Sequence, residues 1–101
     1  MAIPRGTTPT HYFEVEIDLT NTEVLYLTYK QGSKIIVEKE KPDLTVTAEE
    51  VSVTLTQEET LAFSDKQDVE IQFRGRYPDG SAVESEILEV EVGRILKEGV
   101  I

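Results

Sequence analysis

The sequence predicts an all-β fold, an antiparallel β-sandwich of about seven strands, and three observations carry that expectation. The apolar residues, 39% of the chain, gather in short runs rich in Val, Ile, Leu, Tyr and Phe. Within those runs apolar and polar residues alternate, the period of a half-buried strand. Turn-forming residues separate the runs at about 8–12-residue spacing. At 101 residues the chain matches one domain with one core.

Residues 1–10 contain two Pro, one Gly and three Thr, which disfavours helix and predicts an extended arm, ordered where it docks. From His11 to Ile17, Phe13, Val15 and Ile17 fall on one face of a first strand and Glu14 and Glu16 on the other. After the turn residues Asp18–Thr22, Glu23–Lys30 reads as a second strand that is apolar on both faces. Leu25, Leu27 and Tyr29 share one side, Val24 and Tyr26 the other. Such a strand is either central and shaded by loops, or covered on its outer face by the arm or another chain.

Gln31-Gly32-Ser33 marks a hairpin into Lys34–Lys39, with two competing registers. A three-residue loop sets Ile35 opposite Tyr29 and Val37 opposite Leu27, whereas a two-residue loop sets Ile36 opposite Tyr29. The first is expected because it pairs apolar with apolar twice. Lys41-Pro42-Asp43 ends this strand, Leu44 and Val46 mark a short one, and Val51, Val53 and Leu55 a longer one. Thr56-Gln57-Glu58-Glu59 is a capping-box pattern. It predicts one short helical turn near residues 57–63, with Leu61 or Phe63 plugging the core.

Asp68–Tyr77 alternates with Val69, Ile71 and Phe73 inward, and Pro78-Asp79-Gly80 turns the chain. The last strand is expected from Ala82 to Val92, with a bulge where adjacent Ile87 and Leu88 break the phase. Residues 11–93 therefore make the sandwich. Residues 94–101, with four large aliphatics, are too apolar for a solvated tail, so they pack back on the domain or dock on a neighbour.

Twenty acidic against ten basic residues give a net charge of −10, a field that repels phosphate backbones and anionic headgroups. Neither nucleic acid nor a membrane is expected as a partner. No apolar run has the length of a signal sequence or a membrane span, so synthesis in the cytoplasm is expected. Without Cys there are no disulfides, thiolate metal sites or cysteine nucleophiles.

His11 is the single histidine, expected at a surface or edge, and with no nucleophile elbow the chain is expected not to be an enzyme. The many carboxylates alternate with apolar residues and read as solvated strand faces. Asp18, Asp65 and Asp68 are the candidates for calcium, but no Asp-x-Asp-x-Asp run holds them together, so neither metal nor cofactor is expected. A sugar platform could draw only on Tyr12, Tyr26 or Tyr77.

The candidate contact surfaces are of two kinds. Val24, Tyr26, Ile95, Leu96, Val100 and Ile101 are the candidate apolar interface. Lys30, Lys34, Lys39 and Lys41 form a candidate basic edge, which reads first as solvated hairpin lysines and second as a surface facing the acidic Glu84–Glu91 strand of another copy.

Four stretches resemble a known family: the arm Ile3–Thr10, the hairpin Tyr29–Lys34, Leu55–Leu61, and the ending Val92–Leu96. Together they make the chain similar to small prophage proteins of Gram-positive bacteria that look like the N-terminal sandwich domain of the phage baseplate upper protein. The resemblance implies an immunoglobulin-like sandwich acting as a non-catalytic tail- or baseplate-associated structural module. Its expected partners are proteins, either copies of itself as a homo-oligomer or other virion subunits. The chain lacks the further domains of a baseplate upper protein, so an accessory or linking subunit fits better than a receptor carrier. The alternative is a monomeric binding module for a sugar or another small ligand.

Overall fold

Period-two alternation becomes two facing sheets in the structure, a computed structural model that describes residues 2–101. The strands are β1 (Ala2–Pro4), β2 (Thr10–Glu14), β3 (Val24–Gln31), β4 (Lys34–Glu40), β5 (Thr45–Val46), β6 (Glu50–Thr54), β7 (Val69–Arg76), β8 (Ala82–Glu84) and β9 (Leu88–Gly93). The larger sheet runs β1-β9-β7-β3-β4, with β8 also on β7, and the smaller runs β2-β6-β5. All pairs are antiparallel except β1 with β9. The all-β sandwich is thus present, with nine strands among the described residues rather than about seven.

The arm and the last segment supply the additional strands. Ile3 is fully buried, so β1 is an integral edge of the larger sheet. The last segment divides where a bulge was expected. At the break the Phe73 amide donates to the Ser85 hydroxyl at 2.9 Å, and the Ser85 amide donates to the Phe73 carbonyl at 3.0 Å. A side chain therefore replaces one rung of the ladder, and the chain leaves the sheet until Leu88.

The β3–β4 hairpin matches neither expected register. Its loop has two residues, Gly32 and Ser33, with Gln31 opposite Lys34 and Lys30 opposite Ile35. A bulge beside Tyr29 then sets Val37, not Ile35 or Ile36, against Tyr29. The extra residue returns Val37 to the core and leaves Ile35 exposed. Gly32 takes φ 59°, the left-handed conformation that this tight turn requires.

The core lies between the sheets, where Phe13 of β2 meets Phe73 of β7 edge to face at 5.2 Å. Thr56 caps the helix α1 (Gln57–Leu61) through the expected capping box, and Phe63 just beyond it, not Leu61, plugs the core. Gln31, buried at the end of β3, clamps the following loop: its amide nitrogen donates to the Ser64 and Gln67 carbonyls, and its oxygen accepts from the Ser64 amide. Ile17 does not join the inner face of the first strand. β2 stops at Glu14, and Ile17 is exposed on the segment that peels away.

Candidate functional site

The tail 94–101 packs back on the domain through some of its residues and leaves others exposed. Ile95 turns back into the space left by Gly6, where an added Cβ would stand 3.3 Å from Ile95 Cδ1. Arg5 pairs with Glu98 at 2.8 Å, and the Gln57 side chain holds the backbone of Ile101 at both its amide and its carbonyl. So strapped, the tail nevertheless presents Leu96, 94% exposed, together with Val100 and Ile101. Three of the four tail residues of the candidate apolar interface are therefore exposed.

Val24 and Tyr26 are half-buried on the outer face of β3, which is central, between β7 and β4. Neither the arm nor another chain is needed to explain them. They do not join the tail in one surface, because the tail follows β9 on the other side of the sheet.

The basic edge is broken up by intramolecular contacts. Lys39 pairs with Glu59 at 2.7 Å, and Lys41 donates to the Thr20 carbonyl at 2.8 Å and also to that of Thr22. The Leu27–Lys39 pairing places Lys39 over the core side of β4, where its stem covers apolar surface and its ammonium reaches α1. Partial burial alone would raise the Glu59 carboxyl, but Lys39 and the Thr56 amide outweigh it and hold it below its ordinary range. Lys30 and Lys34 remain at the hairpin without such partners among the described residues.

His11 is a correction. It is 4% exposed, between the sheets, with Nδ1 2.6 Å from the Tyr29 hydroxyl and Nε2 without a hydrogen-bond partner. Burial pushes its pKa down, and burial followed by the nearby Glu59 charge pushes that of Tyr29 up.

The tyrosines form no common platform. Tyr12 points outward from the smaller sheet, Tyr26 outward from the larger, and the Tyr77 hydroxyl donates to the Asp18 carbonyl. Asp18 accepts from the Thr20 amide and hydroxyl, which lowers its pKa. Asp68 lies against Glu89, and their hydrogen bond raises the Glu89 carboxyl. Among the described residues no three His, Cys, Asp or Glu converge to hold a metal ion.

The feature that sequence reasoning missed is a cleft of about 290 Å³ between the sheets. The larger sheet is five strands wide and the smaller only three, so inward-facing residues beyond β2 are left uncovered. Gly75 and Ile71 of β7 face the core, and their partners Val83 and Leu88 face the same way, yet Val83 is only half-buried and Leu88 is 46% exposed. Glu14 and Glu16 stand on one lip of the cleft, Glu84 and Glu86 on the other, all exposed and, among the described residues, none in an ion pair. The signals available in sequence were the Ile87-Leu88 phase break and the run of glutamates beside it.

No helix among the described residues is long and apolar enough to cross a membrane. Comparison with protein-family models and with curated proteins finds no match.

Proposed function

We propose that the chain is a non-catalytic structural module that works by protein–protein contact, associated with a phage or prophage tail or baseplate. One observation carries this reading: Leu96, Val100 and Ile101 are held on the surface by hydrogen bonds and an ion pair from Gln57 and Arg5. Three exposed aliphatics on a strapped segment cost solvation free energy that docking against another protein recovers. The resemblance to the baseplate upper protein supports the biological setting. A monomeric sugar-binding module is less well supported, since Tyr12 and Tyr26 lie on opposite faces of the sandwich.

Light scattering on the full chain and on a version ending at Gly93 tests the reading. A defined assembly that dissolves on truncation is the expected result. A full-length chain that stays monomeric and retains no protein partner would overturn it.

A further inference from the structure

The tail and the cleft lie at opposite ends of the sandwich. β2 pairs Thr10 with Thr54, next to α1 and the tail that rests on it, and Glu14 with Glu50, next to the cleft. β3 alone spans eight residues, about 25 Å, and the molecule is 48 Å in its longest dimension. A tail held by Arg5 and Gln57 cannot enter the cleft of its own molecule.

The two surfaces are complementary in chemistry. The cleft has an apolar floor of Phe13, Val83 and Leu88, exposed aliphatics Ile17 and Ile87 beside it, and four glutamates at its lips. The tail carries exposed Leu96 between Arg94 and Lys97, while its one acid, Glu98, is neutralised by Arg5. Among the described residues, five of the eight exposed large hydrophobics belong to these two places and Ile87 to the cleft margin, so the surface that most needs cover is concentrated here. The cleft also lies along the free edge of β2, which pairs only with β6 and so offers unpaired backbone groups to an incoming segment.

We infer that the cleft between β2 and the β7–β8–β9 side of the sandwich receives residues 94–97 of a second copy, with Leu96 on the apolar floor and Arg94 and Lys97 between the glutamates. This rests on the assembly reading and names its site. Because donor and acceptor surfaces differ and lie at opposite ends, the contact is head to tail, and each added copy leaves one cleft and one tail open.

Two variants with surface substitutions separate the halves of the contact. Leu96→Asp removes the tail anchor, and Glu84→Lys with Glu86→Lys reverses one lip of the cleft; circular dichroism checks that each folds. In sedimentation velocity the unaltered chain is expected to grow with concentration beyond a dimer, each variant to stay at the 11.4 kDa monomer, and an equimolar mixture to give a dimer and nothing larger. That mixture retains one intact tail and one intact cleft. If both variants assemble like the unaltered chain, the tail–cleft pairing is overturned while self-association stands. If the unaltered chain is monomeric throughout, the pairing between copies is overturned, and only a different protein partner preserves the assembly reading.

Discussion

His11 and Tyr29 meet where neither reaches water, so their 2.6 Å hydrogen bond replaces the hydration both lose on folding. Tyr29→Phe leaves the imidazole with no partner at either nitrogen and is expected to lower stability by about 1–3 kcal/mol, read from urea denaturation. The same burial produces a pH dependence. Folded His11 has a lowered pKa, so as pH falls through the unfolded value of about 6.5 the unfolded chain binds a proton that the folded chain resists. Stability is full above that pH and declines below it. A drop in the urea midpoint between about pH 7.5 and 5.5 that disappears in His11→Leu is the expected outcome. His11 was expected at a surface or edge, yet it shares the buried face of β2 with Phe13. Its partner, 18 residues away on the other sheet, was not visible in the alternation pattern.

At the scale of elements, α1 shows a local signal and a tertiary one meeting on one side chain. Glu59 accepts from the Thr56 amide with one oxygen, as the capping box predicts, and from Lys39 of β4 with the other. Thr56→Ala is expected to cost about 0.5–2 kcal/mol, measured by thermal unfolding. The first strand makes the contrary case. Composition marks residues 1–10 as an arm, yet Ile3 is as buried as any core residue, and Ile3→Ala is expected to cost about 2–5 kcal/mol. An arm that merely lay on the surface would lose far less. Parallel pairing of β1 with β9 joins segments nearly the whole chain apart, and no local pattern reports it.

For the whole molecule, a net charge of −10 opposes association of copies unless their charges are aligned. The head-to-tail arrangement aligns them, bringing Arg94 and Lys97 to the glutamates of the cleft. Arg94→Glu with Lys97→Glu is therefore expected to abolish assembly in light scattering, whereas Lys34→Glu, at the hairpin tip, leaves it unchanged. A basic hairpin edge acting as the contact would give the opposite pattern.

What the sequence by itself determined was whatever depends on neighbours in the chain. That includes the strands with Leu25, Leu27 and Tyr29 or Val69, Ile71 and Phe73 inward, the capping box at Thr56, and the turn at Gly80. It also placed four large aliphatics in the tail. The tertiary structure decided what depends on neighbours in space: the bulge that sets Val37 against Tyr29, the burial of Ile3 and His11, and the loss of Lys39 and Lys41 to internal partners. The cleft belongs to this second group. Val83 and Leu88 face the same way as buried Gly75 and Ile71, and they are left open because the facing sheet is two strands narrower. Alternation states which side of a strand is apolar, whereas the width of the opposing layer decides whether that side is covered.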